Sequence, residues 1–235
     1  MNSLFRSFVF AILLFSVVDA SGQFGVRAKY NMNSFSEWDN YLKNLSGDVD
    51  KVFPTNIELG LDYWFRLKKY RIEFMPEVAM GLKTSSSYPT NTSTANFSYF
   101  AFNFNTHIYL FDLEGDCDCP TFSKQGPSLN KGFFFSLSPG LVYSNKDVPE
   151  GNFNSNQINL RIGLGIGYDL GISDLFTITP MISYHLTPGL TYDGLTYIYP
   201  PLPSNPPSTS LKQIQFQLRF GFRPDYVKSY GRGRR

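Results

Sequence analysis

Residues 116–119 read Asp-Cys-Asp-Cys, and Cys117 and Cys119 are the only cysteines in the 235-residue chain. Two thiolates with Asp116 and Asp118 supply donor types for a soft metal, but a structural zinc site takes four ligands at wider spacing. Bridging two cysteines this close closes a very small, strained loop. The expectation is a local disulfide or a structured turn at Cys117 and Cys119, with no metal and no cofactor.

The only histidines are His107 and His185. A hydrolase needs a nucleophile, a base and an orienting group within hydrogen-bond reach, and no spacing here brings such a set together. Both histidines are expected to hydrogen-bond within the fold, far apart from each other, so no catalytic residue is assigned and the chain is read as a non-enzyme.

The remaining chemistry is ionic. Arg27, Lys29, Arg71, Arg161, Arg219 and Arg223 stand against Glu58, Asp62, Glu73, Glu77 and Asp169, each inside an otherwise patterned segment. The near-balance of sign, and a formal net charge of only +2, argue against a nucleic-acid footprint.

These charges are positioned by alternation of period two, the strand signal. Phe24, Val26, Ala28, Tyr30 and Met32 alternate with Gly25, Arg27, Lys29 and Asn31. Seven further segments behave alike: 57–65, 70–82, 97–111, 133–143, 157–170, 175–185 and 211–223. In the most regular, Ile158, Leu160, Ile162, Leu164, Ile166, Tyr168 and Leu170 oppose Gln157, Asn159, Arg161, Gly163, Gly165, Gly167 and Asp169. Runs of this length exceed the roughly 5–6 residues of ordinary strands and suit tilted strands crossing a membrane. Long polar loops are expected after the first, third, fifth and seventh segments and tight turns after the second and sixth. The connection 112–131 departs from this asymmetry of outer-membrane barrels. The loop 186–210, with Pro200, Pro201, Pro203, Pro206 and Pro207, should be extended and stiff.

Arg6, the apolar run from Phe8 to Val18 and the small residues Ala20, Ser21 and Gly22 have the layout of a cleavable secretory signal. The run is shorter than the roughly 20 residues of a spanning helix. The expected organisation is therefore signal 1–22, barrel 23–223 and basic tail 224–235. Past the signal a membrane can be crossed only as a closed barrel, because in lipid every backbone group must find its partner internally.

Alternation does not say which face is outside, and a lipocalin-like soluble binder would turn its apolar face inward. An eight-stranded interior is just wide enough to be filled by side chains, too narrow for so many bulky residues. The polar face, rich in Gln, Asn, Ser, Thr and Gly, has a lumen's composition, and its buried charges should pair across it. The fold expected is all-β, an eight-stranded antiparallel up-and-down transmembrane β-barrel in the outer membrane, in contact with lipid. Trp38, Tyr41, Tyr88, Tyr192, Tyr197 and Tyr199 fall in loops, where they suit either a partner contact or the membrane interface.

The signal, the eight segments, the opening Gln23-Phe24-Gly25-Val26-Arg27-Ala28 and the turn from Gly115 to Phe122 around Cys-Asp-Cys-Pro resemble the PorT-like outer-membrane β-barrels of gliding and type IX-secreting bacteria. The resemblance covers most of the mature chain, and its distinctive part is the Cys-Asp-Cys-Pro turn. It implies location more than activity. About a dozen residues follow Phe222, whereas many outer-membrane barrels end on an aromatic residue. The resulting expectation is a structural, envelope-assembly or interaction role, with periplasmic or secretion-system proteins as partners. An accessory part in type IX secretion, a narrow solute channel with gaps at Gly163, Gly165 and Gly167, and the soluble lipophile binder stand as alternatives.

Overall fold

A computed structural model describes residues 23–46, 51–67, 70–88, 91–113, 132–172, 176–192 and 208–222. The signal, the tail with Arg223, the turn with Cys117 and Cys119, and the prolines of 200–207 lie outside the described residues.

Period-two alternation becomes eight long strands: β1 Gln23–Phe35, β2 Thr55–Arg66, β3 Ile72–Tyr88, β4 Asn91–Ile108, β5 Phe133–Val148, β6 Phe153–Tyr168, β7 Phe176–Leu190 and β8 Thr209–Phe222. After Asp169, β6 continues as the two-residue segment Leu170–Gly171, which pairs with β7. Each strand runs antiparallel to its neighbours in sequence, and β1 closes on β8 from Phe24 opposite Phe222 to Phe35 opposite Leu211. With β6 paired to β7 the sheet has no end, and the result is a closed antiparallel barrel.

The apolar face points out. Val26, Leu61, Val78, Phe100, Leu164 and Phe220 are all exposed, while Arg27, Glu58, Glu77, Arg161, Gln215 and Arg219 are buried. This excludes the inward apolar face that a lipocalin-like binder needs. An apolar wall around a closed hydrogen-bond ladder is the form in which strands cross lipid, and the chain is an outer-membrane barrel. Among the described residues no helix is long and apolar enough to span.

Two expectations about the loops are corrected. The connections after β3 and β5 are not long: β3 and β4 continue to Tyr88 and Asn91, and β5 and β6 to Val148 and Phe153. These extensions are rich in Ser, Thr and Asn, so the apolar–polar alternation that marks a membrane strand is lost from the sequence there. β7 likewise runs to Leu190, past the expected end at His185. The loop after β1 contains a helix, α1 Ser36–Ser46, with Glu37 and Asp39 in its first turn and Lys43 in its last, charges that suit the helix dipole.

Candidate functional site

The site to be weighed is the lumen and its two ends. Facing residues of neighbouring strands meet in register, so charges two apart on one strand reach partners on the next. Asp62 on β2 accepts from Arg27 Nε at 2.7 Å and from Arg219 Nε and Nη2 at 2.7–3.0 Å, joining β1, β2 and β8. Lys29 lies between Glu58 and Glu77, 2.6 Å from each. Glu58 also accepts from the Tyr99 hydroxyl, and Glu77 from Asn105 at 2.9 Å. Arg161 donates to Gln213 at 2.9 Å and sits 3.5 Å from Glu58. Nearer the rim where β1 begins, Glu73 accepts from the Trp64 indole at 2.7 Å and from Tyr109 at 3.1 Å. Asp169 accepts from Thr179 and Tyr109, and the Arg71 guanidinium lies 4.1 Å over the Tyr109 ring.

The structure therefore places Arg27, Lys29, Arg71, Arg161, Arg219, Glu58, Asp62, Glu73, Glu77 and Asp169 inside one lumen, all buried. Charges taken out of water hold their state only where partners replace the lost hydration, which the cross-strand pairs supply. Lys146 belongs to this interior too: its ammonium donates to the Thr191 carbonyl at 2.5 Å. It lies in an extension of β5 that carries no alternation, which is why the pattern missed it.

The histidines divide. His185 Nε2 lies 3.1 Å from Ser183 Oγ, as expected of lumen hydrogen bonding. His107 instead stacks on Phe134, centroids 4.0 Å apart, and neither of its ring nitrogens has a hydrogen-bond partner among the described residues. Register sets them on different strands and partners, His107 opposite Glu73 and His185 opposite Gln213. Ser183 and His185 touch, and among the described residues His185 Nδ1 has no hydrogen-bond partner. Among the described residues no group of three His, Cys, Asp or Glu side chains is placed to hold a metal.

Each end carries a buried cluster among the described residues. At the rim where β1 ends, Phe35 stacks on Trp38 of α1 (5.1 Å, 7°) and meets Phe97 edge-on at 5.6 Å, while Phe53 stacks on Phe97 at 5.5 Å. Tyr99, Val148, Leu190, Tyr192 and Leu211 complete this plug. Phe53 holds φ of 51°, costly for a bulky side chain and stabilised here by its ring contacts. Trp38 and Tyr192 are thus core residues, not interface or partner aromatics. At the opposite rim Tyr109, Phe134 and Met181 pack together.

The glycines of β6 leave no gap. A Cβ at Gly163 would lie 2.3 Å from the His185 ring, at Gly165 2.7 Å from Ser183 Cβ, and at Gly167 2.3 Å from Phe134. The gaps that the alternative of a narrow channel would need at these three glycines are filled by neighbouring side chains.

Helix α1 is fastened to the plug through its acidic first turn. Asp39 accepts from the backbone amides of Phe35 at 3.0 Å and Val52 at 2.9 Å, and Glu37 from the Thr209 hydroxyl at 2.6 Å and the Ser210 amide at 3.1 Å. The hydrogen bonds from Thr209 and Ser210 hold the Glu37 carboxyl below its ordinary pKa. Burial pushes the Asp39 carboxyl above its ordinary value, against the two amides that lower it. Burial also raises the Tyr192 hydroxyl, with Asp147 adding to the effect.

No protein-family model matches the sequence, and no curated protein matches it. Among solved structures, Neisserial surface protein A aligns over 87% of this chain and 97% of its own, with a TM-score of 0.50 at 9% identity. Ail, the attachment invasion locus protein of Yersinia pestis, aligns over 86% and 99% (TM-score 0.42, 12% identity), and OprG from Pseudomonas aeruginosa over 86% and 96% (0.40, 11%). The likeness to Neisserial surface protein A is one of fold.

Proposed function

We propose that this chain is a non-enzymatic outer-membrane barrel that works by contact at its rims, in a structural, envelope-assembly or interaction role, and does not conduct. The observation that carries this reading is how the lumen is occupied: an aromatic plug under α1 at one end, the Tyr109–Phe134–Met181 cluster at the other, and paired charges between them. The rim where β1 begins is periplasmic in this reading, and α1 with the extended hairpins is outside.

A narrower version makes the chain PorT-like and an accessory of type IX secretion. It is supported by the sequence resemblance and by the long connection between Ile108 and Phe133, which leaves from the β1-start rim and carries the Cys-Asp-Cys-Pro turn. The test is purification from outer membranes followed by planar-bilayer recording. A heat-modifiable protein without discrete conductance steps is expected, and reproducible single-channel steps would overturn the closed-barrel reading. Co-purification of a secretion-system protein that is lost on replacing residues 114–131 would establish the narrower one.

A further inference from the structure

The ladder between β6 and β7 stops short of the rim where β1 ends. Above the short Leu170–Gly171 pairing it runs from Gly167 opposite Met181 to Ile162 opposite Leu186 and ends there, although β6 remains paired with β5 all the way up to Phe153. The cause lies in β7: Pro188 has no amide hydrogen to give, Gly189 turns to φ of +74°, and the register with β8 shifts between Thr187 and Leu190. Above Ile162 the strands are bridged by side chains instead. Asn159 Nδ2 donates to the Pro188 carbonyl at 3.0 Å, and Gln157 Nε2 to the Gly189 carbonyl at 2.7 Å.

Two independent features mark this split. On the outside, Leu160 and Ile158, at 72% and 68% exposed, are the most exposed large apolar side chains among the described residues. On the inside, Arg161 Nε and Nη1, His185 Nδ1 and Thr187 Oγ1 are buried without hydrogen-bond partners among the described residues. Such atoms normally carry a partner, and a guanidinium most of all. The carboxylate nearest Arg161 is Glu58 at 3.5 Å, which is already engaged by Lys29 at 2.6 Å.

From this juxtaposition we infer that the β6–β7 seam is a lateral binding site for an anionic amphiphile. Its carboxylate or phosphate head is taken by Arg161, with His185 and Thr187 as further hydrogen-bonding groups. Its alkyl chain lies in the bilayer along Ile158, Leu160 and Ile162. The Gln157 and Asn159 bridges form the clasp that the head group displaces. This site opens through the wall and not along the lumen axis, so its failure would leave the closed-barrel reading standing.

The mature chain in dodecyl maltoside micelles would be titrated calorimetrically with dodecyl phosphate, dodecanoate, dodecanol and inorganic phosphate. One saturable site is expected for either amphiphilic anion, with none for dodecanol or inorganic phosphate at the same concentrations. Arg161→Gln should weaken binding at least tenfold and Arg161→Lys less. Gln157→Ala/Asn159→Ala, which keeps Arg161 and loosens the clasp, should tighten it several-fold. Heat-modifiability checks that each variant is folded, and should Arg161→Gln fail to fold, the clasp variant decides. Equal binding of dodecanol, equal binding of inorganic phosphate, or a clasp variant indistinguishable from the parent would each overturn the site.

Discussion

The middle of the lumen and the mouth under α1 close the same tube by opposite means. The middle is ionic: Asp62 between Arg27 and Arg219, Lys29 between Glu58 and Glu77, every group delivered by a strand at a fixed height. The mouth is aromatic, assembled from a strand end, a helix, a loop and the top of β4 through Phe35, Trp38, Phe53 and Phe97. Charges in the middle are held by geometry that the ladder imposes, so losing one partner strands another. Rings in the mouth are held by mutual packing, so losing one loosens the helix and leaves the barrel closed.

The sharpest way to break this contrast is Asp62→Ala, which leaves two buried arginines facing an empty position. Removing one partner of a buried pair costs about 3–5 kcal/mol. Urea unfolding of the barrel refolded into vesicles should show a global loss of that size, and a loss under 1 kcal/mol would mean that water reaches the arginines. Trp38→Ala should cost about 3 kcal/mol, the low end for truncating a large buried aromatic. This loss should be local, with hydrogen exchange in α1 released while the strands stay protected. Exchange spreading through all strands would show the plug to be part of the barrel's cooperative unit.

Gly163→Ala tests the wall between the two regions. Its new methyl meets the His185 ring, and overpacking of this kind costs roughly 1–3 kcal/mol. An unchanged unfolding midpoint would show that His185 turns aside freely.

The smallest effect is set by pH at the mouth. Glu37, held low by Thr209 and Ser210, favours docking of α1 above the ordinary carboxylate range, and this contribution is lost as pH falls through its lowered value. Asp39, raised by burial, acts in the other sense: its contribution is present at low pH and is lost as pH rises through its raised value. Glu37→Gln should therefore remove the acid-side loosening of α1, read from Trp38 emission between pH 6 and pH 3. Persistence of that loosening in the variant would assign it elsewhere.

The contrast also explains what the sequence showed. Arg27, Lys29, Glu58 and Arg161 were legible as lumen residues because each sits in a strict alternation with lipid-facing apolar neighbours, and the solvent on one side writes that pattern. Phe35, Phe97 and Tyr99 occupy inward positions in the same alternation, but an inward aromatic reads like an outward one until its register is known. Trp38 and Tyr192 carried even less signal, since a loop aromatic packs against whatever the fold brings over it. Helix α1 had its own marks, Glu37 and Asp39 at its start and Lys43 near its end, masked by its setting between long strands. The β6–β7 seam was foreshadowed by Pro188-Gly189, a pair that interrupts a strand, but its consequence depends on which strand stands opposite.

The length of the central strands has a further consequence. At about 3.3 Å per residue and a tilt near 40°, the 18 residues of β4 rise roughly 45 Å, against an apolar band of about 25 Å. The excess extends the β3–β4 and β5–β6 pairs past that band at the rim where β1 ends. The turn between Val148 and Phe153, at the end of one such pair, is the natural place for an epitope tag, and an antibody against it would report the orientation of the whole barrel in intact cells.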